Sequence, residues 1–142
     1  MRHHEPLQAA YDLAVHDAAR LAPKGFTVWL PRPPPVNNLF FNAPKRGRVK
    51  SSRYTTWINE AAIYVNRARP SKVSGPYRFT MIVERPDRRA RDLDGLAKPV
   101  LDFLVRSDLT DDDHLCQHIT IRWSGETVVP DAGVIITVEP CE

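Results

Sequence analysis

The stretch HLCQHITIRWSGETVVPDAGVIITVEP, residues 114–140, decides the fold class. Its first ten residues, HLCQHITIRW, alternate well enough for a strand, and GVIITVEP, residues 133–140, is a β-branched run closed by Pro140. Two closing strands joined by a turn argue for an antiparallel or mixed sheet with helices on one side. Working outward, YRFTMIVE (77–84) alternates as a third strand, and FTVWL (26–30) is a fourth, stopped by PRPPP (31–35). Proline removes a ladder donor and fixes φ, so a strand does not run through such a segment.

Between the strands the hydrophobic period changes from two to that of a helix. Leu7, Ala10, Tyr11, Ala14, Val15, Ala18 and Leu21 form one apolar stripe over 7–21, ended by Pro23 and Gly25. A second helix starts near Ser51 or Ser52, either able to cap it. Its stripe is Tyr54, Trp57, Ile58, Ala61 and Val65, and Pro70 lies past its end. Leu96, Val100, Phe103 and Leu104 mark a third helix beginning around Asp94, with Pro99 tolerable only in the first turn. VNNLFFNAPKRGRVK (36–50) reads as a loop rich in asparagine and basic residues. The order α, β, α, β, α, β, β predicts a single α+β domain over 26–142, a mixed or antiparallel β-sheet flanked by helices, with residues 1–25 as an N-terminal helical extension.

The 142 residues suit one core, and 42% of them are hydrophobic. The net charge of +3 is modest, but its placement is uneven. Arg85, Arg88, Arg89 and Arg91 crowd around Asp87 and Asp92, and Lys45, Arg46, Arg48, Lys50 and Arg53 form a second basic cluster. The two cysteines, Cys116 and Cys141, read as reduced thiols. No apolar run reaches the roughly 18 residues of a membrane helix, and MRHHEPLQAA lacks the apolar core of a signal peptide. No membrane and a cytoplasmic location are the expectations.

The sharpest chemical feature is Asp92-Leu93-Asp94 followed by Lys98. Carboxylates two apart in an extended segment point the same way and can share a hard cation, which prefers oxygen ligands. Lys98, one helical turn beyond Asp94, can face the same space. The plain alternative makes Asp94 an N-cap and Asp92 a solvated loop residue. Asp111, Asp112 and Asp113 form a second acidic cluster, either a surface turn or a partner of the first. The arginines of 88–91 are either a solvated face or a phosphate grip. His114, Cys116 and His118 alternate on one face of the expected strand, where the two histidines stand about 13 Å apart, too far to share a metal. No phosphate-cradling glycine motif occurs.

DRRARDLDGLAKPVLDFLVRSDLTDDDHL (87–115) resembles the signature of the RusA family of Holliday junction resolvases. It has a basic approach, D-x-D, a lysine four residues on, a later aspartate, and an Asp-Asp pair before a strand. WLPRPPPVNNLFF (29–41) is similar to the family's proline-rich strand exit and paired asparagines. The resemblance covers residues 26–139. It implies a homodimeric endodeoxyribonuclease, often phage-borne, that cuts four-way or otherwise branched DNA using Mg²⁺, with Mn²⁺ as a substitute. It implies that Asp92, Asp94 and Asp112 are metal ligands and that Lys98 is catalytic. Asp112 is chosen by taking Leu115 as the aliphatic strand residue after the pair, whereas an ungapped count from Lys98 selects Asp113. Arg88, Arg89, Arg91, Lys45, Arg46, Arg48 and Lys50 are the expected DNA contacts. Gly95 departs from the family, which has asparagine after the D-x-D, and the helix over 7–21 lies outside its pattern. A nuclease preferring flaps or forks, and a non-catalytic binder of branched DNA, are the alternatives.

Overall fold

The structure is a computed structural model that describes residues 24–141; the expected N-terminal helix over 7–21 lies outside the described residues. A mixed four-stranded sheet carries two helices, α1 (Ser52–Ala68) and α2 (Ala97–Arg106), in an α+β arrangement. The strands are β1 (Phe26–Pro31), β4 (Tyr77–Arg85), β5 (Cys116–Val128) and β6 (Gly133–Pro140), in the order β1-β6-β4-β5. A separate hairpin is formed by β2 (Phe40–Ala43) and β3 (Gly47–Lys50).

The strand alternation sorts the sheet into two faces. Val28 and Leu30 of β1, Val134, Ile136 and Val138 of β6, and Phe79, Met81 and Val83 of β4 turn inward to one core. Both helices cover that face. The α1 stripe read from the sequence, Tyr54, Trp57, Ile58, Ala61 and Val65, is buried throughout. Pro99, Val100, Phe103 and Leu104 of α2 are buried with it. Trp57 joins the two helices to the strand exit. Its ring meets Phe103 edge-on at 5.3 Å between centroids, and its Nε1 donates to the carbonyl of Pro31 at 2.8 Å. Each such side chain stabilises the fold by about 1.5–3 kcal/mol through burial.

Local chemistry sets the helix ends. The Ser51 hydroxyl accepts from the Tyr54 amide at 3.1 Å, an N-cap, and Arg69 closes α1 in the left-handed region at φ 48°. A 3₁₀ turn, Asp94–Leu96, leads into α2, which leaves Pro99 in the first turn where its missing amide costs nothing.

Three expectations change. The two closing strands do not pair with each other: β4 lies between them, antiparallel to β6 and parallel to β5. Parallel pairing requires a crossover, and the segment containing α2 supplies it. The chain then passes over the end of β4, where the Val129 amide donates to the Arg85 carbonyl at 2.8 Å. Second, the segment 36–50 is not a plain loop but a 3₁₀ turn, Val36–Asn38, followed by the β2–β3 hairpin. Its turn has Pro44 in second place and Lys45 at φ 64° in third, closed by the Arg46 amide on the Ala43 carbonyl at 3.1 Å. Third, His114, Cys116 and His118 share no strand face. His114 sits in a 3₁₀ turn, Asp113–Leu115, and β5 begins after it. Cys116 lies opposite buried Tyr77, while His118 lies opposite exposed Arg78. Both cysteines are free thiols. Among the described residues no helix is long and apolar enough to cross a membrane.

Candidate functional site

The loop after β4 carries Asp92 and Asp94 to the start of α2, and both are exposed. Asp94 is not a helix cap. The 3₁₀ turn is entered at Leu93 and α2 at Leu96, neither with a side-chain capping bond. Among the described residues neither carboxylate has a hydrogen-bond or ion-pair partner. Two anionic groups are thus left facing solvent without the structural duty that the plain reading assigned to Asp94.

Lys98, second in α2, is held between two elements. Its Nζ donates to Asp102 Oδ1 at 3.0 Å, one turn along the helix, and to Asp113 Oδ2 at 3.2 Å, on the turn before β5. These bonds, Asp102's first and Asp113's second, raise the ammonium above the ordinary lysine range. Lys98 therefore links α2 to the second acidic cluster, while among the described residues it has no hydrogen bond or ion pair with Asp92 or Asp94. The member that meets it is Asp113 and not Asp112, the choice made from the sequence.

The three adjacent aspartates divide among three different partners, which relieves their mutual repulsion. Asp111 accepts from the Gly75 amide at 2.9 Å and pairs with Lys72 at 2.8 Å. Asp112 caps its own turn. It accepts from the His114 amide at 3.1 Å and stands 2.8 Å from His114 Nδ1, contacts that draw its carboxyl down to about 2. Asp113 alone turns to Lys98. Among the described residues no three or more His, Cys, Asp or Glu side chains converge on one metal position. The chemistry of the donors nonetheless fits a hard cation: Asp92 and Asp94 are unpaired oxygen donors, and Asp113 carries an exchangeable surface ion pair.

The arginine cluster is not uniformly free. Asp87 is gripped by Arg91, Nε to Oδ1 at 3.0 Å and Nη2 to Oδ2 at 2.6 Å, and also receives the Arg89 amide at 3.1 Å and its guanidinium at 3.1–3.2 Å. This fork, Arg91 foremost, holds the Asp87 carboxyl far below the usual carboxylate range. Arg88 is exposed and has no partner among the described residues. On the hairpin, Lys45, Arg46 and Lys50 are exposed and likewise unpaired there, while the Arg48 guanidinium lies 4.3 Å over the Phe40 ring.

Two residues were given no role from the sequence. Asp102 had a signal, its i,i+4 spacing from Lys98. Arg32, within the proline run, had none. It lines a cleft of about 300 Å³ with Ser52, Arg53 and Glu60, and its buried Nη1 has no hydrogen-bond partner among the described residues. Burial first, then the charge of Arg91, lowers its guanidinium from the ordinary value. Arg32 thus lies between the arginine loop, whose Arg91 it senses, and the start of α1.

Against known proteins, no family model matches the chain and no curated protein matches it.

Proposed function

We propose that the chain is a RusA-like endodeoxyribonuclease that hydrolyses phosphodiesters in branched DNA, four-way junctions foremost, and acts as a homodimer. One observation carries the reading. Asp92 and Asp94 stand exposed and without a partner among the described residues on the loop that enters α2, and Lys98 on that helix pairs with a third acid, Asp113. Asp111 and Asp112, by contrast, are taken up by an ion pair and a turn cap.

Asp92, Asp94 and Asp113 would hold the divalent cation, Mg²⁺ or Mn²⁺. Such an ion, when bound, supplies Lewis-acid stabilisation of phosphoryl oxygens and lowers the pKa of water. The chain's own residues do the rest. Lys98 keeps its proton and offsets negative charge that develops on the scissile phosphate. Asp102 keeps the Lys98 head in place when Asp113 exchanges its partner. Arg88, Lys45, Arg46 and Lys50 neutralise backbone phosphates, and Arg91 and Arg89 brace the loop through Asp87. Preference for a branch comes from geometry and dimer spacing, not from a base code.

The test compares a synthetic four-way junction, a fork and a linear duplex, each with Mg²⁺. Nicking of the junction in preference to the other two is expected. Preference for the fork transfers the same chemistry to flaps or forks. Tight junction binding with no nicking of any substrate makes the protein a non-catalytic binder and refutes the proposal.

A further inference from the structure

The β2–β3 hairpin exposes an aromatic ring that the core does not use. Phe40 packs on Tyr54 at 5.7 Å between centroids, but its neighbour Phe41 is 50% exposed. Val36, on the adjoining 3₁₀ turn, is 43% exposed. Between them runs a groove of about 410 Å³ lined by Val36, Asn37, Phe40, Phe41, Asn42 and Arg48. Its walls combine apolar rings with two carboxamides, which both donate and accept, and one guanidinium. Residues 36–50 contain no acidic side chain, while Lys45, Arg46, Arg48 and Lys50 all lie on the hairpin. The groove also adjoins the acidic turn. A Cβ placed on Gly95, between Asp94 and α2, would touch Val36 at 3.6 Å, so the turns Val36–Asn38 and Asp94–Leu96 are packed together.

We propose that this groove captures an unstacked nucleobase of single-stranded or branch-point DNA. Phe41 offers a π-face to the base, Asn37 and Asn42 meet its polar edge, and the hairpin cations hold the flanking phosphates. An aromatic beside a basic track is the usual means of binding unpaired nucleotides, because every base has a face to stack and every linkage a charge. An apolar peptide would not need four cations around it. A paired base inside a duplex has no free face, so the groove distinguishes branch points and strand ends from continuous duplex. The position beside Asp92 and Asp94 gives it a purpose that rests on the nuclease reading, namely setting which phosphate next to an unpaired base reaches the acids. The binding chemistry itself does not depend on that reading.

The test uses the full chain in EDTA, so that no cleavage intervenes. Affinity for a short fluorescein-labelled single strand and for a blunt duplex is read by anisotropy, for wild type, Phe41→Ala and Phe41→Tyr. Phe41→Ala is expected to weaken single-strand binding at least about fivefold, the loss of one stacked base, and duplex binding less than about twofold. Phe41→Tyr should restore it. Circular dichroism checks the fold, which a half-exposed side chain leaves intact. Equal binding by wild type and Phe41→Ala, or equal weakening for both DNAs, overturns the proposal. So does a dimer that dissociates in Phe41→Ala, because the ring then serves a second copy of the chain. Junction nicking is scored separately: stacking without nicking removes the nuclease reading alone, and nicking without stacking removes the groove alone.

Discussion

Asp112 and Asp113 are adjacent, chemically identical and differently employed. The first caps a turn and the second reaches Lys98 at 3.2 Å. Asp113→Asn is expected to lower junction nicking at least about 100-fold, the scale of losing a group that acts on transition-state charge. Asp112→Asn should stay within about threefold of wild type, a barrier change under about 1 kcal/mol. Single-turnover cleavage of both variants measures this, and the reverse ranking would restore the assignment made from the sequence. The sequence offered both counts and favoured Asp112 through Leu115; it could not show which side chain the capping bond consumes. The placement of the D-x-D pair and Lys98 on one exposed segment was legible because their spacing is short. Arg32 was not, because its position depends on how the proline run folds against the arginine loop. The raised Lys98 ammonium gives a pH prediction. A group whose folded value lies above its unfolded value contributes fully below the unfolded value, here the ordinary 10.5, and loses its contribution as pH rises through the folded one. The stability difference between wild type and Lys98→Met should therefore be constant from neutral pH to about 10 and shrink only above that. Urea denaturation across that range checks it, and a difference that fades between about pH 7 and 9 would contradict it.

At the scale of elements, the sheet is pinned where β6 begins. Glu84, buried on β4, accepts from Trp29 Nε1 at 2.8 Å and from the Gly133 amide at 3.1 Å. A Cβ on Gly133 would fall 2.3 Å from Trp29 Cζ2 and 2.4 Å from the Leu30 carbonyl oxygen. Gly133→Ala must move an indole or strand β1, so it should cost about 1–3 kcal/mol or more. Thermal melting should fall by several degrees, and an unchanged midpoint would mean the sheet edge yields freely. The strands and helices themselves were legible in the described part of the chain because a one-faced core imposes a plain period, and the α1 stripe agrees residue for residue. Strand pairing was not legible. Nothing local to 114–140 records that β4 separates β5 from β6; that follows from β4 burying one full face between two partners. The hairpin was missed for a related reason. Its strands are four residues each and mostly exposed, so no alternation marks them.

For the whole molecule, charge placement governs the encounter with DNA. Each neutralised phosphate contributes about −0.9 to the slope of log affinity against log salt. Arg88→Ala should remove about one such contact, while Arg91→Ala should change the slope less, since Asp87 at 2.6 Å already cancels that charge. Equal effects of the two would show that Asp87 releases Arg91 on binding. Symmetric nicking of a junction also calls for two copies of the site, and light scattering should report a dimer at micromolar concentration. A fully active monomer would contradict that part of the account. The central claim is that Asp92 and Asp94 form a metal-dependent cleavage centre, and one measurement meets it directly. Wild type and Asp92→Asn are incubated with an end-labelled four-way junction, with Mg²⁺ or with EDTA, and the products are mapped while binding is followed in parallel. The account predicts paired nicks by wild type in Mg²⁺ only, and none by Asp92→Asn, which still binds the junction. Cleavage by Asp92→Asn at the wild-type rate, or no Mg²⁺-dependent nicks from folded wild type, would contradict it.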